Sequence, residues 1–242
     1  RHCSSSRLAD NEKSCASYAR KSWDATLAAM RIILASTSPR RRDIISLLGL
    51  PFEVRDPDFQ ETTREDFTPE AEALELALGK ARSIARGETD ALVVGGDTLI
   101  ALDHEKIGKP ADPDDAVSIL RRLSGRTHRI LTGVALIDSA TGREDTYLER
   151  VEVRMRRSTE AEIADYLARG ESMDKAGAYS IQGEGHRLIE SMRGDYLAAV
   201  GMPLRPIALY LQKRGAEVPA DVDALYRDRS LWTWRELVSC PT

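Results

Sequence analysis

Residues 31–42 read Arg31-Ile32-Ile33-Leu34-Ala35-Ser36-Thr37-Ser38-Pro39-Arg40-Arg41-Arg42. The run Arg31–Ala35 has the pattern of a buried strand. Pro39 suits the first position of a helix, where its missing N–H is not needed. Behind it Ile44, Ile45, Leu47 and Leu48 recur at helical spacing and stop at Gly49. Three consecutive arginines therefore sit at a helix start. That end of a helix carries unpaired N–H groups and a partial positive charge, so a helix alone favours Asp or Glu there. The violation points to a bound anion, and phosphate is the commonest kind. A solvated basic turn accounts for the same residues on local grounds.

Outward from this unit, Pro69–Arg86 reads as a longer helix with Ala73, Leu74, Ala77, Leu78 and Ala81 on its apolar side. Ala91–Val94 reads as a short strand that Gly95-Gly96 should halt, with Leu99–Leu102 extended beyond it and a turn over Asp103–Lys106. Asp112 is placed to cap a helix running to about Leu123, and Gly125 ends it. Thr127–Ile137 and Tyr147–Met155 have the pattern of an antiparallel pair. Thr159-Glu160-Ala161-Glu162 is a capping box for a helix ending near Gly170. Arg187–Met192 and Tyr196–Val200 read as strands around the turn Arg193-Gly194-Asp195. Pro203–Arg214 reads as a last helix closed by Gly215. Helices alternate with strands and hairpins, so a single mixed-sheet α/β domain is expected.

The chain has 242 residues and a net charge of −4, which gives no whole-surface basic field for nucleic acid. The middle of the chain also lacks the aromatic interleaving of a base-stacking platform. No apolar run approaches the ~20 residues of a membrane span. Cys3, Cys15 and Cys240 lie near the ends, so neither a disulfide framework nor a CxxC zinc site is indicated, and a reducing cytoplasm is expected. Residues 1–29 are rich in Ser, Ala and charge without a sustained period. They lack the apolar core of a signal peptide, and their acidic residues argue against a transit peptide. Met30 directly precedes the first strand and is read as the natural start, with residues 1–29 an extension or artefact. A domain over 30–218 and a distinct tail over 219–242 are expected, with both ends dispensable. Trp232 and Trp234 fall in the tail and Trp23 in the leading segment.

Four polar clusters could carry chemistry. In Ser36–Arg42, backbone N–H groups, hydroxyls and guanidiniums could clamp a polyphosphate, because Arg offers a planar fork of donors. In Gly95-Gly96-Asp97-Thr98, an Asp at the end of a buried strand could hold a hard cation such as Mg²⁺, although a cap or turn role suits a single Asp equally. The glycines could let the backbone approach a ligand. Glu61 is a candidate second carboxylate; a surface acid is its plain alternative. Lys109 is held between Gly108 and Pro110. Lys80 follows Gly79, a mid-helix glycine that costs roughly 1 kcal/mol against Ala. A surface lysine is the default for both. In Asp174–Gly183, Gln182 could read a base edge through its paired donor and acceptor, and a structural loop is the alternative. His128 reads as structural. No Ser/His/Asp or Cys/His arrangement stands out, which disfavours covalent catalysis.

In order along the chain, LASTSPRRR at 34–42, GGDT at 95–98, GKP at 108–110, LSGRTH at 123–128, TGVAL at 132–136, DKAGAYSIQG at 174–183 and GDYLAAVGMPL at 194–204 resemble the Maf family of nucleoside triphosphate pyrophosphatases. The resemblance covers about Met30 to Gly215. It implies the two-lobed α/β fold shared with inosine triphosphate pyrophosphatases, with the active site in the cleft between lobes. It implies hydrolysis of a nucleoside triphosphate to monophosphate and pyrophosphate with Mg²⁺ or Mn²⁺, and a homodimer. Ile181-Gln182-Gly183 looks like the branch acting on dTTP and UTP. A 7-methyl-GTP or other modified-nucleotide pyrophosphatase is the neighbouring reading, and a nucleotide-binding regulator of septum formation without turnover is another. The implied substrate contacts are Ser36, Arg40, Arg41, Thr98, Lys175 and Gln182. Lys80 and Lys109 complete the cationic clamp. Asp97, helped by Glu61, orders the metal and activates water. Arg42 points elsewhere, because the matching motif needs only two arginines.

Overall fold

The computed structural model describes residues 31–62 and 66–227. The leading segment up to Met30, Trp232, Trp234 and all three cysteines lie outside the described residues. In order, the elements are β1 (Arg31–Ala35), α1 (Pro39–Ser46), β2 (Glu53–Arg55), α2 (Pro69–Ala85), β3 (Ala91–Leu102), β4 (Glu105–Ile107) and α3 (Pro113–Leu123). They continue with β5 (Thr127–Asp138), β6 (Arg143–Met155), α4 (Glu160–Leu167), β7 (Ile189–Arg193), α5 (Tyr196–Val200), α6 (Leu204–Lys213) and α7 (Val222–Arg227). Short 3-10 turns cover Ala176–Ala178 and Glu184–Leu188. The seven strands form one mixed sheet in the order β2-β1-β3-β5-β6-β7, with β4 on β3. β2 and β3 run parallel to β1, and the pairs from β3 onward are antiparallel. The expected mixed α/β sheet is therefore present.

Helix starts follow their local chemistry. Thr68, Asp112, Thr159 and Asp195 each accept a backbone N–H at the start of α2, α3, α4 and α5, and Thr159 forms the reciprocal capping box with Glu162. α1 differs: Ser38 makes no side-chain cap, and its first turn holds no acid. Just before it, Ser38 N donates to Ser36 Oγ at 3.2 Å in the loop that follows β1.

α2 lies against one face of the sheet through Ala73, Ala77 and Ala81, all fully buried. The contact is close because the strands below carry glycine. A Cβ on Gly95 would meet the Ala77 carbonyl oxygen at 2.3 Å and the Ala81 Cβ at 2.9 Å, and one on Gly133 would meet the Ala73 carbonyl oxygen at 2.3 Å. Gly79 answers to the opposite side of the helix. The ring of Phe59 lies where its Cβ would stand, 2.3 Å from Cε2 and Cζ. Gly79 thus admits the segment that carries Glu61.

Several elements differ from expectation. Gly95-Gly96 does not halt a strand. β3 runs through both, paired with β5 from Leu92 to Ala101, because the neighbouring ladders supply the order that glycine lacks. Tyr196–Val200 is a helix capped by Asp195, not a strand. Arg187–Met192 divides between a 3-10 turn and β7. β2, β4 and α7 are too short for a period to reveal. Residues 219–227, set apart by sequence as a tail, pack onto the body: Pro219 lies beside Gly49, and Tyr226 bonds Asp195 and Leu204. Among the described residues no helix is long and apolar enough to cross a membrane. Gly95→Ala, which forces a methyl into the α2 backbone, is expected to cost roughly 1–3 kcal/mol, read as a lower urea midpoint.

Candidate active site

The edge of β3 that faces β1 changes partner part-way. β1 pairs with it up to Gly95, and β4 begins at Ile100. Between them Asp97–Leu99 borders a cleft of about 890 Å³. The loop after β1, the loop after β4, the segment 174–182 and the end of α5 close its sides. All ten residues singled out from sequence line it: Ser36, Arg40, Arg41, Glu61, Lys80, Asp97, Thr98, Lys109, Lys175 and Gln182. Arg42 does not. It is exposed and sits 3.7 Å from Asp43.

Strand alternation divides the polar groups between the two faces of β3. Gly95 and Asp97 face α2. There Lys80 Nζ lies 2.6 Å from Asp97 Oδ1 and 2.6 Å from Glu61 Oε1. Lys80 and Asp97 are both buried, whereas 59% of the Glu61 side chain is exposed. Burial works to raise the Glu61 carboxyl. The Lys80 hydrogen bond and the charges of Lys80, Lys109 and Arg41 outweigh it and hold Glu61 below the usual range. Its pairing with Lys80 is thus kept at neutral pH and lost only as pH falls through that depressed value.

Gly96 and Thr98 face α1 and α5. A Cβ on Gly96 would stand 3.3 Å from Arg41 Nε and 2.9 Å from Met202 Cε, so this glycine makes room for a side chain. The glycine pair is thus explained by α2 on one side and Arg41 on the other. Arg41 Nε donates to the Gly201 carbonyl at 3.0 Å. Its other nitrogens donate to Ser36 Oγ at 3.4 Å and to Thr98 Oγ1 at 3.3 Å. Thr98 Oγ1 is 3.1 Å from Thr132 Oγ1, which donates to the Ala198 carbonyl at 2.8 Å. Among the described residues, all of Arg41's side-chain hydrogen-bond partners are neutral. Burial lowers its guanidinium from the ordinary value, and the nearby Asp97 charge opposes that. Arg40 and Lys109 make no ion pair among the described residues.

On the far side, Gly177 N donates to the Gly108 carbonyl at 3.0 Å, which docks the segment 174–183 onto the loop bearing Lys109. Lys175 is held 2.6 Å from Asp174. Gln182 is half-buried, and its carbonyl accepts Ser180 Oγ at 2.9 Å. Tyr179 and the apolar side chains Ile100, Ile107, Ile130 and Ile181 also line the cleft, and Leu99 lines it from the α2 face, packed against Ala73, Ala101 and Leu131. His128 stands behind Tyr179, Nε2 to hydroxyl 2.7 Å. Burial pushes its imidazole down to about 4, so it is neutral at pH 7 and structural.

Sequence reasoning missed Asp56, Tyr179, Thr132 and the Gly201 carbonyl. Asp56 and Tyr179 sit in loops with no period. Thr132 and Gly201 act through contacts that no spacing reveals. Among the described residues no three metal-ligating side chains gather. Asp97 and Glu61 are the pair of carboxylates brought together by Lys80.

A model of the Maf-like protein family matches residues 31–214. A dTTP/UTP pyrophosphatase of Moorella thermoacetica is 43% identical over 188 residues, 78% of this chain and 97% of that protein. A dTTP/UTP pyrophosphatase of Bacillus cereus is 39% identical over the same shares. Among solved structures, the Ham1 protein of Staphylococcus aureus aligns with 52% of this chain and 71% of its own at a TM-score of 0.40 and 15% identity. The chain belongs to the Maf family.

Proposed function

We propose that this chain hydrolyses dTTP and UTP to the monophosphate and pyrophosphate. The observation that carries the reading is the likeness to two enzymes of that name over 97% of their length. The cleft supports it by its charge. Five cationic side chains (Arg40, Arg41, Lys80, Lys109, Lys175) and four carboxylates (Asp56, Glu61, Asp97, Asp174) line it, a net positive site on a chain of net charge −4. The apolar side chains of the lining suit a base, and the cationic ones suit phosphates.

The α1 start, Ser36, Arg40, Arg41 and Lys109 take the phosphates. Arg41 is preset by three neutral acceptors, so its charge is offered to the anion and not consumed by a carboxylate. Lys80 has a different part from a phosphate contact. Its ammonium holds Asp97 and Glu61 together against their repulsion. Asp97 contacts Lys80 through Oδ1, so Oδ2 is the oxygen that accepts the proton of the attacking water. Two carboxylates beside substrate phosphates suit a magnesium-type ion, and Asp97 and Glu61 would hold it. When bound, it would neutralise phosphate charge and lower the pKa of water. A homodimer in solution belongs to the same reading.

Pyrophosphate release measured with Mg²⁺ across dTTP, UTP, CTP, GTP and 7-methyl-GTP is expected to favour dTTP and UTP. A preference for 7-methyl-GTP would overturn the substrate assignment, and no release at all would leave a nucleotide-binding regulator. Asp97→Asn should lose nearly all turnover while melting cooperatively; near-normal rates would remove Asp97 from the chemistry. Arg40→Ala and Arg41→Ala should each lower kcat/KM ~10²-fold, the scale for one transition-state donor. Arg42→Ala, by contrast, should stay within twofold of the unmodified chain, as about the size of an exposed-residue effect.

A further inference from the structure

Tyr226 lies on α7, beyond the family match that ends at residue 214. Its hydroxyl donates to Asp195 Oδ2 at 2.6 Å and accepts the Leu204 N–H at 3.1 Å. These two partners are the ends of one segment. Asp195 caps α5 through its other oxygen, which accepts Ala198 N at 3.1 Å. Leu204 opens α6, where Pro203 offers no side-chain cap, so its N–H is one of the donors a helix start leaves over. One phenol therefore pins both ends of the stretch 195–204. The ring is fixed in turn by Arg205, whose guanidinium lies 4.0 Å from its centroid and whose Nε donates to Asp223 at 3.2 Å.

The pinned stretch carries one wall of the cleft, Ala199, Val200 and Gly201. It also carries the two carbonyls that order the phosphate side. Gly201 receives Arg41 Nε, and Ala198 receives the Thr132 hydroxyl that touches Thr98. α5 has five residues, too few to hold a helix by its own hydrogen bonds, so its place depends on tertiary contacts. Tyr226 does not line the cleft. We propose that Tyr226 is a positioning residue for Arg41, stapling residues 195 and 204 so that the Gly201 carbonyl holds the guanidinium toward the substrate phosphates. The proposal rests on the triphosphate reading for what Arg41 holds, but the coupling is measured without turnover.

The test is a double-mutant cycle on the full chain with Tyr226→Phe, Arg41→Ala and both together. Inorganic pyrophosphate binding is read by calorimetry, and each variant is checked by melting. Tyr226→Phe keeps the ring under Arg205 and removes only the hydroxyl. It is expected to weaken pyrophosphate binding about three- to tenfold in the unmodified background and to have no further effect beside Arg41→Ala. The same loss in both backgrounds would assign Tyr226 a general structural role and overturn the proposal, as would unchanged binding in Tyr226→Phe. Arg41→Met, which keeps the stem but neither the charge nor a donor, replaces Arg41→Ala in the cycle if the latter melts early. Asp223→Asn weakens one restraint on the ring but keeps the hydroxyl, and should cost less pyrophosphate binding than Tyr226→Phe. A loss equal to that of Tyr226→Phe would transfer the effect to the docking of α7 and also overturn the proposal. Unmodified protein that binds pyrophosphate but releases none from any triphosphate would end the enzymatic reading and leave the coupling standing. Protein that binds no pyrophosphate would end both.

Discussion

β3 is twelve residues long, but β1 accompanies its inner edge only to Gly95, and β4 takes up that edge again only at Ile100. On its other edge β5 pairs with it without interruption from Leu92 to Ala101. The strand is therefore held straight through a place where its near neighbour is missing. Backbone polar groups at a gap in a sheet must meet water or a ligand, and the gap is where the cleft opens. The position of the site follows from this change of partner. Ser36 lies just past the end of β1, Lys109 just past the end of β4, and Asp97 and Thr98 lie on the strand between them.

Because side chains alternate along a strand, one short peptide serves two hydrogen-bond networks, which still feel each other's charge. Asp97 belongs to the face beneath α2, with Lys80 and Glu61. Thr98 belongs to the opposite face, with Arg41 and Thr132. The glycines flanking them set the distances. Without Gly95 and Gly133, α2 would have to stand away from the sheet, and Lys80 with it. A Cβ at Gly96 would crowd the Arg41 side chain, 3.3 Å from Nε, on its way to Thr98. Packing and chemistry meet at the same residues, so the motif tolerates few side chains for two unrelated reasons.

What was legible in the sequence follows the range of the forces involved. Elements fixed by nearby residues could be read. Asp112 and Thr159 cap helices as their spacing implies, and the Arg31–Ala35 strand and the α1 start at Pro39 fall where expected. Elements fixed by distant residues could not. Gly95-Gly96 looks like a strand end, yet the unbroken β5 ladder carries β3 through it. Tyr196–Val200 has strand-like side chains, yet Asp195 and the packing around it make a helix. The candidate site residues were found as separate motifs, and the structure brings all ten to one cleft. The partition of the cations was hidden, because Lys80 and Arg41 look alike as charges. Only the fold shows that Lys80 meets two carboxylates while Arg41 meets carbonyl and hydroxyl oxygens.

That partition has a consequence for how the two carboxylates divide their work. Asp97 stands on a strand paired on its far side and is buried beside a buried Lys80, so its position is set before substrate arrives. Glu61 comes from a stretch outside helix and strand, is more than half exposed, and reaches Lys80 from solvent. Its anchor is Phe59, which lies in the notch that Gly79 leaves on α2. In the proposed reaction Asp97 must accept a proton at a defined atom and gains from the rigid position, since small misplacements are costly in proton transfer. A group that completes a charge cluster around an incoming ligand gains from the accessible one. The same lysine restrains both, so moving Phe59 would displace Glu61 while leaving Asp97 where the strand puts it.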